Sequence, residues 1–160
     1  MYISFEEYTA LYDRIEEIDF NRLEIEARRI IDRFTSGIDG VKKLKVAFPV
    51  DEDDVIAVKH CAARVINVLY QIQEAEKSAS VSRGYEENPN GMRGKVVSSV
   101  TAGNESISYV VGGANTAVDK AITNIADRNR LISGVIRDYL SGVNDANGVC
   151  LLYMGVYPCV

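Results

Sequence analysis

Between Asp51 and Lys77 the apolar residues Val55, Val58, Ala62, Val65, Leu69 and Ile72 recur at alternating steps of three and four, with Ile66 beside them. Only a helix brings positions so spaced onto one side, and a stripe that long has to be covered. The acidic run Asp51-Glu52-Asp53-Asp54 follows Pro49 and stands where a helix carries its partial positive end. The spacing therefore predicts an amphipathic helix to about Lys77 at the centre of the fold. Three heptads of this kind also fit a coiled coil, but packing inside a helical bundle is the commoner cause.

Shorter helices surround it. Ser4 and Glu7 have capping-box spacing, which predicts a short helix through about Tyr12. Asp19 reads as the N-cap of a second helix, with Ile18 and Leu23 placed as a hydrophobic staple. Phe20, Leu23, Ala27, Ile30, Ile31 and Phe34 form its stripe, and Thr35-Ser36-Gly37 end it. A last helix is expected from about Thr116 to Leu140, with Ala121, Ile122, Ile125, Ile132, Ile136 and Tyr139 near one face and Gly142 as its stop. Gly134 weakens it by about 1 kcal/mol relative to alanine and marks a place for a break.

The helical pattern lapses after Ser78. Ser82 to Gly94 reads as a solvated loop, and Val96–Thr101 with Ser106–Val110 read as two strands joined by a turn at Ala102-Gly103-Asn104-Glu105. Gly112-Gly113 releases the chain again, without the spacing of a phosphate loop. After Gly142 a polar turn leads to the apolar run Val149–Val156, too short for an ordinary helix and read as a strand or arm. The expected fold is mainly α: a small helical bundle with a β-hairpin and an extended C-terminal arm. Its helical domain covers 1–142 with the hairpin inserted over about 95–111, and the arm covers 143–160.

Composition narrows the function. With 23 acidic and 18 basic residues the formal charge is −5, and no basic block supplies the field that nucleic-acid binding needs. Met1–Glu7 lacks the basic and apolar regions of a signal peptide, so the chain is expected to stay where it is made. The longest uncharged run, Ala146–Val160, is too short and glycine-broken to span a bilayer, and no membrane partner is expected. Cys61, Cys150 and Cys159 form no CxxC pair, and one histidine cannot complete a familiar zinc site.

No constellation for catalysis emerges. His60 falls on the polar side of the central helix with no partner at a telling spacing, and Cys61 sits at the edge of the stripe as a small apolar side chain. Asp51–Asp54 lacks the ligand alternation and glycine of a calcium loop. Arg22, Arg28, Arg29 and Arg33 alternate with Glu24, Glu26 and Asp32 as surface pairs worth about 0.2–0.5 kcal/mol each. No catalytic, cofactor or metal residue is assigned. The C-terminal run is different, because Leu151, Leu152, Tyr153, Met154 and Val156 crowd large apolar groups at a chain end. Either they dock on the chain's own helices or the run adds as a strand to a neighbouring subunit or partner.

Three stretches resemble one family in the same order. They are Tyr8-Thr9 followed by Asp19-Phe20-x-x-Leu23-x-x-x-Ala27-x-x-x-Ile31-Asp32-x-x-Thr35, then Val58-x-x-Cys61-Ala62, then Tyr139-Leu140-Ser141-Gly142 with Leu151-Leu152-Tyr153-Met154-Gly155-Val156 after a spacer. In this the chain is similar to the small head-tail connector, or adaptor, proteins of tailed phages and prophages of low-GC Gram-positive hosts. The resemblance covers the first 75 or so residues and the last 25, and no motif in 82–118 takes part in it. It implies a non-enzymatic virion protein that assembles as a homo-oligomeric ring beneath the portal. The C-terminal arm would dock on the portal protein through Leu151, Leu152, Tyr153, Met154 and Val156, and the far side would meet the next connector or tail-completion protein. Such a protein would reside at the head-tail interface of the virion, and in the host cytoplasm before assembly. A monomeric protein-binding or regulatory module of a mobile genetic element is the alternative reading.

Overall fold

The computed structural model describes residues 1–12, 15–82, 85–87, 93–95, 99–102, 105–108 and 116–158. The chain is mainly helical: α1 (Phe5–Leu11), α2 (Glu17–Thr35), α3 (Lys43–Val46), α4 (Glu52–Ser82), α5 (Ala117–Thr123) and α6 (Ile125–Leu140). It divides into two compact units, residues 1–70 with 129–160, and residues 71–128.

In the first unit, α1 starts on the expected capping box, in which the Ser4 hydroxyl accepts from the Glu7 amide and the Glu7 carboxylate accepts from the Ser4 amide. Aromatic packing docks α1 onto α2: Phe5 and Tyr8 each stand 5.3 Å from Phe20 in tilted geometry. Such pairs contribute about 0.5–1.5 kcal/mol beyond the area they bury.

The start of α2 differs from expectation. It begins at Glu17 with Glu16 as N-cap, so Asp19 lies inside the first turn, where its carboxylate favours the helix dipole and binds Arg22 at 2.9 Å. Ile18 is 82% exposed and staples nothing. Of the stripe, Phe20, Leu23, Ala27 and Ile31 are buried as read, while Ile30 and Phe34 are half-buried.

Asp51 caps α4, its carboxylate accepting from the Asp53 and Asp54 amides and its carbonyl from Val55. From Cys61 to Leu69 every residue except Arg64 is buried. Over these residues the helix is enclosed on nearly all sides rather than along one stripe, while its earlier turns keep Ile56 and His60 exposed. It also runs five residues beyond Lys77, to Ser82. Glu52–Ser78 is long and apolar enough to cross a membrane by length and composition, a property that a core helix shares, and 56% of its apolar 18-residue stretch is buried in the chain.

The single helix expected over 116–140 is two. The break falls at Asn124, whose side-chain oxygen accepts the Ala126 amide and caps α6, and not at Gly134, which α6 passes through. Ile125 is correspondingly exposed on the first turn of α6. Gly142 ends α6 with φ +85°, a left-handed conformation that glycine adopts without the Cβ penalty.

The hairpin expected over 95–111 is not supported as an element leaning on the helices. What is described there is a four-residue backbone ladder, β3 (Ser99–Ala102) antiparallel to β4 (Glu105–Ser108). A three-residue ladder, β1 (Tyr85–Glu87) with β2 (Arg93–Lys95), stands in the stretch read as loop and ends one residue beyond it. Both belong to the second unit. The turn at Gly103-Asn104, the Gly112-Gly113 pair and Cys159 lie outside the described residues.

The C-terminal segment is neither extended nor a strand. An isolated bridge pairs Asn144 with Cys150, and the Tyr153 amide then bonds the Cys150 carbonyl, closing a turn over Leu151-Leu152. Residues 143–158 are part of the first unit.

Candidate functional site

The C-terminal segment is held at its start by the Asn144 amide donating to Asp54 at 3.1 Å and the Ala146 amide to the Ala47 carbonyl at 3.4 Å, and from Cys150 onward by the loop 37–43. The short helix α3 places Lys43, which is fully buried, so that its ammonium donates to the carbonyls of Cys150 and Leu151, both at 3.1 Å, and to that of Tyr153. A buried lysine is tolerated only when its donors are satisfied, and here three carbonyls of one turn satisfy them. Burial pulls the Lys43 ammonium below its ordinary value of 10.5, while attraction to Cys150, Asp145 and Asp39 opposes that pull. The Tyr153 ring lies over the same ammonium at 5.5 Å.

Two neighbours of Lys43 complete the attachment. The Ile38 amide donates to the Met154 carbonyl at 3.2 Å, and the exposed Asp39 carboxylate accepts from the Tyr157 amide at 2.7 Å and from Val41 at 3.1 Å. These bonds, Tyr157 foremost, hold the Asp39 carboxyl below the usual carboxylate value of 3.8. Gly37 lets the two stretches of backbone meet, since a Cβ there would stand 2.4 Å from the Gly155 carbonyl oxygen. On the far side the Tyr157 hydroxyl donates to Asp145 at 2.5 Å and accepts from Asn147 at 2.9 Å. Burial and the Asp145 bond push the Tyr157 hydroxyl up from its ordinary value.

With the backbone so engaged, the five residues expected to make contact separate. Leu151 is fully buried and belongs to the core, which corrects its assignment to an outward surface; Leu152 is half-buried. Tyr153 (51%), Met154 (63%) and Val156 (67%) are exposed, and Ile38, 81% exposed and bonded to Met154 through its amide, adds to them. Nothing in the sequence singled out Ile38, an isolated apolar residue between Gly37 and Asp39, or Lys43, one of three lysines within four positions.

The N-terminus is tied down by a second buried polar set that the sequence reading placed on the surface. Glu24 and Asp32 are both buried. Glu24 accepts the Tyr2 amide at 3.3 Å and stands 3.8 Å from Arg28, and Asp32 accepts the Tyr2 hydroxyl and lies 3.4 Å from Lys45. Burial and the Asp32 bond push the Tyr2 hydroxyl far up. This arrangement is structural, since each carboxylate is occupied by groups of the chain itself.

His60 is exposed at the rim of a shallow apolar groove of about 270 Å³ lined by Ile3, Ala10, Leu11 and Ile56, with the Glu7–Lys59 pair at 2.5 Å beside it. The Lys59 bond holds the Glu7 carboxyl below its ordinary value. Cys61 is sealed in the core, where burial pushes its thiol up to about 12, so it is an unreactive packing group. Among the described residues no three His, Cys, Asp or Glu side chains are grouped as a metal site. No family model, curated protein or solved structure matches the chain.

Proposed function

We propose that the chain is a virion structural protein, a head-tail connector or adaptor that forms a ring beneath the portal and links the DNA-filled head to the tail. The observation that carries this reading is the display of Tyr153, Met154, Val156 and Ile38 on a segment whose backbone is anchored to the chain's own loop. Apolar groups so clustered are the ordinary material of a protein contact. No side chain from Ala146 to Val160 is charged, so a contact made through this segment would rest on apolar burial and hydrogen bonds and not on ion pairs. In a ring, each weak contact is multiplied by its neighbours, because binding one subunit raises the effective concentration of the next. A net charge of −5 suits a channel wall that does not grip DNA. The far face would receive the next connector or tail-completion protein, and no chemistry is asked of any residue.

The test is co-elution on size exclusion with the purified portal protein of the same phage or prophage genome. Full-length chain is expected to shift into the portal peak, and Met154→Asp/Val156→Asp is expected to abolish the shift while the variant keeps its helical circular dichroism. A wild-type chain that elutes as a monomer with or without portal overturns the adaptor reading in favour of a monomeric module of a mobile element.

A further inference from the structure

The polar turn ahead of the apolar run is a tight hairpin corner. The Gly148 amide donates to the Asp145 carbonyl and the Asp145 amide to the Val149 carbonyl, both at 2.9 Å, and Gly148 has φ +75°. Asp145-Ala146-Asn147-Gly148 suits such a corner, with aspartate first and a left-handed glycine last. The same four residues contain an Asn-Gly pair, and both members are exposed to water. Asparagine is among the heat-labile residues. With no Cβ on the following glycine, nothing crowds the approach of its amide nitrogen to the asparagine side chain. In the closed corner neither reacting group is free. The Gly148 amide is bonded to Asp145, and the Asn147 side-chain amide donates to the Tyr157 hydroxyl at 2.9 Å. Tyr157 in turn gives its only hydroxyl proton to the buried Asp145 at 2.5 Å.

We propose that Asn147 is a modification site, a deamidation site that the hairpin corner and Tyr157 hold in check and whose product undoes that hold. The Gly148 nitrogen gives up its proton and bonds to the side-chain carbonyl carbon of Asn147. The bond from that carbon to the side-chain nitrogen breaks, and ammonia leaves with the proton. Water then opens the five-membered imide at one carbonyl or the other, leaving aspartate or isoaspartate at position 147. Water is the co-reactant, and nothing is oxidised or reduced. The corner has to open before the Gly148 nitrogen can attack, and a surface turn opens at a lower free energy than the whole domain. Closing again is opposed by the product. A carboxylate at 147 has no proton to give the Tyr157 hydroxyl, and it competes with the like charge of Asp145 for the one proton that hydroxyl holds. Isoaspartate also inserts a carbon into the main chain and so shifts the register of the bonds between 145 and 149. No part of this depends on what the chain binds.

Peptide mass spectrometry of the full-length protein incubated at neutral pH reads the conversion as the mass gained when an amide becomes a carboxylate, with fragmentation to place it at Asn147. Conversion is expected to be at least tenfold slower in the native protein than in the same protein in guanidinium chloride. Tyr157→Phe keeps the ring and removes the hydroxyl, and is expected to speed native conversion about fivefold while leaving the unfolded rate unchanged. Asn147→Asp, the stand-in for one product, is expected to raise hydrogen exchange at the Gly148 and Val149 amides at least fivefold, and more than Asn147→Ala does. The comparison of native with unfolded wild type stands whether or not Tyr157→Phe folds. Equal rates in the native and unfolded chain, no conversion in either, or a native rate unmoved by Tyr157→Phe would each overturn the proposal.

Discussion

At the scale of single residues, burial decides which polar groups are inert and which are tethers. Cys61 has no exposure and a thiol pushed up to about 12, whereas Cys150 is half-buried. Iodoacetamide at pH 8, followed by peptide mass spectrometry, should therefore label Cys150 in the native protein and Cys61 only after denaturation. Asp39 gives a pH signature whose sign follows from its lowered value. Its hold on the Tyr157 amide is complete above the ordinary carboxylate value of 3.8 and is lost as pH falls through the lowered one. Limited proteolysis by pepsin should consequently cut within 152–158 more readily as pH falls from 4 to 2, and Asp39→Ala, which has no acceptor, should be cut readily at both. Neither tether was legible beforehand. Lys43 differs from Lys42 and Lys45 only in the direction that a four-residue helix points it, and that helix is too short to leave a periodic pattern.

At the scale of elements, local rules worked where the signal was local. Ser4 and Glu7 close a box within one turn, Asp51 reaches amides two and three residues ahead, and Gly142 supplies a positive φ. Asp51→Ala should lower stability by about 1 kcal/mol, the usual effect of losing an N-cap, read as a shift in the denaturant midpoint with unchanged slope. The misreadings came where two positions compete for one role. Asp19 and Glu16 both precede an apolar stripe, and the chain starts α2 at the earlier one because helix can then extend by most of a turn. Asn124 outcompeted Gly134 as the break because its side chain satisfies a backbone amide, whereas a glycine within a helix merely weakens it. Asn67 shows the limit of stripe reading: it lies between Ile66 and Val68 on an enclosed helix, 4% exposed, with its side-chain oxygen unpaired.

For the whole molecule, the apolar end of the chain is at once core and surface, and this decides how its role is to be tested. The sequence marked the run Leu151–Val156 but left open whether it docks at home or abroad, because composition says how much apolar surface there is and not which side chain of a turn faces inward. The fold splits the run: Leu151 and Tyr157 face in, Met154 and Val156 face out, and Lys43 is buried under the backbone between them. A truncation after Gly142 therefore removes far more than a contact surface. It takes the Leu151 side chain from the core, at a cost of about 2–5 kcal/mol for a comparable core truncation. It also removes all three carbonyls that the Lys43 ammonium binds, hydrogen bonds to a charged group that contribute about 1.5–3 kcal/mol each. Either loss is a large part of the 5–15 kcal/mol that hold a typical domain together, so the truncated chain should be unfolded or molten by near-ultraviolet circular dichroism. Met154→Ser/Val156→Ser should leave stability within about 0.5 kcal/mol of wild type, as surface changes do, while removing the exposed apolar ridge. Loss of portal binding by the truncation would then say nothing of docking, and loss of binding by the double serine variant, at unchanged stability, would assign the contact to those two side chains.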